Sequence, residues 1–499
     1  MKNFTKVLLP FACDGPASSD AARAAFVAWE RRTDAGTEQK RKQKWLPRRM
    51  GDGYLLESIA DKLNEEGGES IGRAYSLNAA VRRALSLPPD ERTAVTLTAR
   101  AGKTFPFRLG NIGLYLFETN VGFLEFEIFP EGDAAAYVEC NYFFSELKDE
   151  HNVCSFVRKT RAGEETVTFT AAEKARELLA EMKDLRGFDR GSRLRFSDCK
   201  PNLFGMYRCR DDGEFDGNFL TLAKNNFKLS YKVRPDGDVF TEFENIACGA
   251  TVNGCFDFLR PTGDEGADAF AVSGFAENFS ERYFYLYLLL LNERFTLLKR
   301  LDQLNAVDLR CNARADGDIA AAQAQLIKLS RKSAMLAARC DYTTVSAQEN
   351  INRWYGYVKE KLCIRELLGE INGKYDVEEK LIRLYADELE NRKRQAEERA
   401  ALKKEISDLR LQILAFILAN VVGSLSVFTS ALDILDFLGM DAMNTGWVAL
   451  PAVVTALFFV WLVAETVSRA RTLARLCRKR NEAENKGEKT EKNKGGKRQ

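Results

Sequence analysis

The sequence predicts an α+β cytosolic domain, a long helical stalk and two C-terminal transmembrane helices. Three observations carry this. Two apolar runs, Leu411–Leu432 and Trp447–Ala464, contain no Lys, Arg, Asp or Glu. Each is about long enough to cross a bilayer core as a helix, which takes roughly 20 residues. Basic residues flank the pair on one side only. Arg392, Lys393, Arg394, Arg399, Lys403, Lys404 and Arg410 precede the first run, and Arg469, Arg471, Arg475, Arg478, Lys479 and Arg480 follow the second. The positive-inside bias therefore puts both termini in the cytoplasm and the short loop between the runs outside. Third, strand-like and helix-like stretches interleave over the first half of the chain, as in a mixed domain with its own core. The expected organisation is a cytosolic domain over 1–275, a stalk over 276–410, spans over 411–432 and 447–464, an external loop over 433–446 and a basic cytoplasmic tail over 465–499.

In chain order, Val7–Phe11 reads as a buried strand. Ser18–Arg31 has helical periodicity, with Ala22, Ala25, Phe26 and Trp29 on one face. Helices are expected over Gly53–Glu65 and Leu77–Ser86. Ala94–Thr98 alternates as a strand. Gly113–Phe117 and Phe123–Phe129 form a hairpin across Glu118–Gly122. Ala134–Leu147 is expected as a helix, Val153–Arg158 and Thr166–Thr170 as strands, and Ala171–Leu185 as a helix. Phe204–Cys209, Phe227–Val233 and Val239–Phe243 are expected as further strands.

After Asn278 the pattern turns helical. Tyr283–Leu291 is an unbroken apolar run, too short to span a membrane and expected as a buried helix. Long helices follow over Ile319–Ala338 and Val345–Ile371. The last begins near Asp376 and runs into the first span, with no Gly or Pro from Val377 to Val422. Its cytosolic half is charged around a thin apolar stripe, the pattern of a coiled coil or a helix packed on neighbours.

The eleven cysteines contain no C-x-x-C pair, as expected for free thiols in a reducing compartment. The lone histidine, His151, leaves a histidine-based metal or catalytic site poorly supplied, and no enzyme is expected. Met1–Cys13 lacks a secretory signal pattern, so insertion is expected to rely on the C-terminal pair. The tail carries twelve Lys or Arg against five Glu from Glu465 on, and is expected to be disordered past Asn481.

Candidate site residues fall in two groups. The first span has a polar side with Asn420, Gly423, Ser424, Val427 and Ser430. Small and hydroxyl residues there either pack helices closely or line a water-filled pore. A single hairpin cannot enclose a pore, so the second use requires a homo-oligomer. Asp433, Asp436 and Asp441 lie at the outer mouth, where a ring of carboxylates attracts cations. The second group is basic. Lys40, Arg41, Arg48 and Arg49 surround Trp45, Arg208 and Arg210 follow Phe204 and Tyr207, and Arg282 precedes the apolar run. These are candidate anion or nucleotide contacts, none with a phosphate-loop pattern.

The layout resembles the CorA family of divalent-cation transporters: a large N-terminal domain, stalk helices, a very long last helix entering the membrane, and two C-terminal spans joined by an acidic loop. That family's signature is Gly-Met-Asn at the outer end of the first span. The matching place here reads Gly439-Met440-Asp441, followed by Ala442 and a Met443-Asn444 pair. The resemblance implies a homopentamer in the cell inner membrane that passes Mg2+-class cations, needs no cofactor, and is gated by its cytosolic domain. The chain also resembles CorA-like effectors of antiviral, type III CRISPR-like defence. That implies the alternative expectation of a membrane effector opened by a nucleotide second messenger, with no direct nucleic-acid partner.

Overall fold

The computed structural model describes residues 3–13, 44–50, 72–147 except 101, 151–180 except 161–162, 185–186, 200–308 except 216 and 236, 323–331, 341–437 and 449–495, with isolated positions between 55 and 63 and at 149 and 321. The chain divides into two units, Met1–Lys380 and Leu381–Gln499.

The first unit is an α+β domain on a mixed sheet. Its strands are β1 (Phe4–Cys13), β2 (Trp45–Arg48), β3 (Gly72–Leu77), β4 (Ala94–Thr98), β5 (Thr104–Phe117), β6 (Val121–Pro130), β7 (Val153–Thr160), β8 (Gly163–Phe169), β9 (Leu185–Arg186), β10 (Asn202–Arg208), β11 (Ile246–Ala250) and β12 (Gly254–Leu259). The order is β11-β12-β10-β1-β6-β5-β4-β7-β8, with β3 on β5, β2 on β3 and β9 on β1. β10 and β12 are parallel neighbours, and β1 lies antiparallel between β10 and β6. The period-two alternation of strand side chains gives the sheet two different faces.

One face is apolar. Val7, Leu9, Phe11, Leu124, Phe126, Leu203, Tyr207, Phe256 and Phe258 pack there in a single core. Helices α2 (Ala134–Ser145), α3 (Ala171–Leu178) and α4 (Asn218–Asn225) cover it, after a short α1 (Ala79–Arg82). Their starts reflect local capping. The Asp133 side chain accepts from Ala136 N, and Thr170 with Glu173 forms a capping box at α3. Gly205 lies under Tyr137, whose hydroxyl occupies the place a Cβ would take.

The other face carries a helical layer. It begins with α5 (Glu265–Ala269) and continues through π-helical segments Phe270–Phe275 and Phe279–Tyr283, separated by the α-helical turn Ala276–Asn278. It ends in α6 (Phe284–Asp308). The apolar run Tyr283–Leu291 is buried throughout, as expected of a helix apolar on all sides. Phe204 of β10 stacks on Phe279 with ring centroids 4.4 Å apart, and Tyr115 of β5 meets Phe284 edge-on. Helix α7 (Glu349–Lys361) packs beside this layer, with Trp354 edge-on to Tyr283 at 4.8 Å.

Several sequence expectations need correction. Phe227–Val233 is not a strand. Asn226, at φ 56°, ends α4 in the left-handed conformation, and the chain leaves through turns. Val239–Phe243 contributes one isolated bridge, Phe240 to Cys248. The helix expected over Leu77–Ser86 shrinks to α1, because Leu77 still pairs in β3 and the Asn78 side chain caps the start of α1. The helix expected over Ala171–Leu185 ends at Leu178, and Leu185 pairs with Cys13. Val345–Ile371 is two helices: Cys363, at φ 52°, stops α7, and α8 (Ile364–Phe437) begins at once, well before Asp376. Gly369 and Gly373 sit inside α8, each at a cost of about 1 kcal/mol relative to alanine. The expectations at Ser18–Arg31 and most of Gly53–Glu65 lie outside the described residues. Of Ile319–Ala338, residues 323–331 are helical.

Helix α8 crosses the division between the units. The second unit holds its remainder and α9 (Ala449–Gly495). Among the described residues, the helix Ile364–Gly423 is long and apolar enough to cross a membrane, and only 6% of its apolar window is buried. The apolar run 449–464 opens α9. Two expectations differ here. Asp433 and Asp436, expected in a loop, are helical, because α8 continues through Phe437. The tail expected to be disordered past Asn481 has helical backbone to Gly495.

Candidate functional site

The hairpin of the second unit presents a long apolar surface. Leu411, Leu414, Leu418, Val422, Leu425 and Phe437 of α8 are exposed, and so are Leu457, Val460 and Trp461 of α9. Between the helices lies a crevice of about 280 Å³, lined by Ile417, Asn420, Val421, Phe459, Leu462, Val463, Thr466 and Val467. Asn420 therefore borders α9. Its amide donates to the Phe416 carbonyl at 2.7 Å, and Thr466 likewise donates to Leu462 O at 2.7 Å. One turn toward the basic end, Arg469 lies 4.2 Å over the Phe416 ring and pairs with Glu465 at 3.0 Å.

The other expected pore residues divide. Gly423 is half-buried with nothing within 4 Å of a Cβ placed on it, and Ser430 and Asp433 are exposed. The side chains of Ser424, Val427 and Asp436 lie outside the described residues, as do Gly439, Met440, Asp441, Met443 and Asn444 entirely. Among the described residues, no group of three His, Cys, Asp or Glu is placed to hold a metal ion.

The basic candidates do not form one site. Arg48 is half-buried at the end of β2, with its guanidinium 6.0 Å over the Tyr285 ring. Arg49 is exposed, and its carbonyl accepts from Tyr285 at 3.4 Å. Arg208 and Arg210 are exposed at and just beyond the end of β10, where Arg210 donates to Gly132 O at 2.7 Å. Arg282 is 3% exposed, bonds Asn278 at 3.2 Å and faces no solvent. It was expected as an anion contact, and its guanidinium is buried instead of open to solvent. Lys40 and Arg41 lie outside the described residues.

Sequence reasoning missed a buried ion cluster on the sheet face under α6. Lys6 of β1 lies 2.9 Å from Glu125 and 3.2 Å from Glu127 of β6. Tyr115 donates to Glu125 at 2.6 Å, Asn111 N–H donates to Glu127 at 3.0 Å, and the Lys6 ammonium sits 4.3 Å over the Phe284 ring. Burial opposes the charge of Lys6, but the two carboxylates outweigh it and hold the ammonium above the ordinary lysine range. Burial likewise opposes ionisation of Glu127, but Lys6 and the Asn111 N–H hold it below the usual carboxylate range. Gly113 makes room, since a Cβ there would strike the Glu125 carboxylate. The clue in the sequence was charge inside otherwise apolar strands: Lys6 in β1, and Glu125 and Glu127 two apart in β6.

Two further polar groups are buried nearby. Asp257 of β12 is 1% exposed and faces Cys248 across the ladder, and among the described residues neither carboxylate oxygen has a hydrogen-bond partner of ordinary geometry. Burial pushes its pKa up to about 8, against a partial offset from the Cys248 thiol. Glu293 of α6 is pushed up to about 7 by burial, with Lys359 opposing at 3.9 Å and Asp341 adding to the rise. Next to it, Arg294 donates to Leu362 O, the carbonyl freed where α7 ends at Cys363. The core of the domain thus grips the junction from which α8 starts. Relief of the left-handed strain in Cys363→Gly is expected to stabilise this unit by up to about 1 kcal/mol. A raised denaturation midpoint checks it, and an unchanged or lower one contradicts it.

No protein-family model, curated protein or solved structure matches the chain.

Proposed function

We propose that the chain is an oligomeric membrane channel, with α8 and the start of α9 as a two-span hairpin and the α+β domain as its gate. The carrying observation is the charge-free stretch Leu411–Leu432 of α8, in which Leu411, Leu414, Leu418, Val422 and Leu425 stand exposed. Soluble proteins rarely expose contiguous apolar patches beyond a few hundred Å². A bilayer covers such a surface without cost, and the basic residues flanking the hairpin put both termini in the cytoplasm of a cell inner membrane. The passing ion is a divalent cation of the Mg2+ class, attracted by Asp433, Asp436 and Asp441 at the far end, since hard cations prefer carboxylate oxygen. The pore runs along the side of α8 that carries Gly423, Ser424, Val427 and Ser430 in a homo-oligomer, a pentamer on the CorA resemblance, while Asn420, expected with them, borders α9. The junction held by Arg294 joins the gate to α8.

Gly423 provides the test. A Cβ there meets nothing within 4 Å among the described residues, so Gly423→Leu is expected to leave the hairpin intact. In a pore it narrows the path with an apolar ring, and hydrophobic constrictions close channels by dewetting. Gly423→Leu is expected to assemble normally and to lose cation flux in liposomes. Undiminished flux removes this face of α8 from the pore.

A second reading is an effector opened by a nucleotide second messenger. It is favoured by the exposed Arg208 and Arg210 side chains together on one strand end, where phosphate oxygens have access.

A further inference from the structure

We propose that the crevice between α8 and α9 holds one acyl chain of an anionic phospholipid from the cytoplasmic leaflet, with its phosphate on the basic segment that starts at Arg469. The proposal rests on the membrane reading and names a ligand for the hairpin.

The crevice lies at the basic end of the hairpin. Its lining is Ile417, Val421, Phe459, Leu462, Val463 and Val467, with Asn420 and Thr466 as the polar members. Its volume of about 280 Å³ is many times a water's share, and its walls offer few of the partners that ordered water needs. An apolar space of this kind takes a hydrocarbon. Thr466 spends its hydroxyl on Leu462 O, and Asn420 spends one amide hydrogen on Phe416 O. An amide nitrogen carries two hydrogens, and the second suits an ester carbonyl, the group a glycerolipid carries where its chains begin.

Charge complementarity sets the headgroup. Arg469 lies 4.2 Å over the Phe416 ring, one turn below Asn420, and its pair with Glu465 is half-exposed. Exposed Arg410, Arg471 and Arg475 stand on the same side of the two spans. Each basic residue near an anionic leaflet adds roughly 1 kcal/mol of attraction. A zwitterionic headgroup gains little from this arrangement. The lipid then acts as a wedge that fixes the spacing of α8 and α9 beside the pore side of α8.

The test uses the full chain, purified in detergent, supplied with phosphatidylglycerol or phosphatidylcholine and read by native mass spectrometry. Carbonate extraction of cell membranes is run in parallel. Wild-type protein is expected to retain phosphatidylglycerol in preference to phosphatidylcholine. Val463→Trp, which fills the crevice, is expected to lower that retention on the order of tenfold, since each buried methylene contributes appreciably to lipid affinity. Arg469→Gln is expected to keep lipid but lose the headgroup preference. Equal retention by wild type and Val463→Trp overturns the proposal. So does an altered oligomer mass in Val463→Trp with no lipid on either protein, which assigns the crevice to a second copy of the chain. Extraction of wild-type protein by carbonate overturns the membrane reading itself, and is seen separately from either lipid result.

Discussion

Lys6→Met is expected to destabilise the α+β domain by about 3–5 kcal/mol, because it leaves two carboxylates buried without their cation. Glu125 is fully buried, and the Tyr115 hydroxyl is the only other group bonded to its carboxylate among the hydrogen bonds described. A loss of that size is a large part of the 5–15 kcal/mol typical of a folded domain. Adding Glu125→Gln and Glu127→Gln to Lys6→Met is expected to recover part of the loss, since neutral amides tolerate burial better than ions. The pH dependence has two edges. Lys6 has a raised folded pKa, so its contribution is complete below the unfolded value of 10.5 and is lost as pH rises through the folded one. Glu127 has a lowered folded pKa, so its contribution is present above 4.5 and is lost as pH falls through the folded value. Urea titrations of purified wild type and variants, followed by tryptophan fluorescence, check the ranking. A Lys6→Met protein as stable as wild type would show that the cluster stabilises nothing.

Asp257→Asn is expected to act in the opposite direction, and to do so with pH. The folded pKa of Asp257 is raised to about 8 from 3.8 by burial. The folded state therefore holds a proton that the unfolded chain releases, and stability falls as pH rises from about 4 to about 8. At about 1.4 kcal/mol per pH unit the penalty in the wild type grows to the order of 5 kcal/mol. Asparagine stays neutral at every pH and escapes it. The variant's advantage over wild type is thus expected to be several kcal/mol larger at pH 8 than at pH 5. Equal differences at the two pH values would show that Asp257 keeps an ordinary pKa. A carboxyl this costly, buried opposite a thiol, stands out in the sequence only as an Asp between two phenylalanines in β12.

Much of the fold was legible because periodicity and burial agreed. Ala94–Thr98 is β4 to the residue, and the hairpin across Glu118–Gly122 is β5 and β6. The apolar run Tyr283–Leu291 is the buried helix its length required. Failures have local causes. Asn226 and Cys363 take left-handed backbone, which no hydrophobic pattern encodes, and each redirects the chain where the pattern ran on. The apolar Phe227–Val233 looked like a strand, yet Phe227 and Tyr231 remain part-exposed after the turn. Arg282 was a candidate anion contact whose burial was not legible, because it depends on a π-helical segment with no sequence signature. The ion cluster was hidden by distance. Lys6 and Glu125 lie far apart in sequence and meet only through the register of β1 on β6. The candidate pore was legible as composition, but which side of α8 faces α9 was not. The polar stripe ran through Asn420, while packing places that residue at the crevice.

The most direct test of the central claim is Mg2+ flux through purified full-length protein in liposomes, read with an internal indicator, with and without a nucleotide extract from phage-infected cells. The account predicts flux that wild type supports and Gly423→Leu abolishes. Flux only with the extract selects the messenger-opened form of the same channel. No flux under either condition, from protein shown to be inserted, would contradict it.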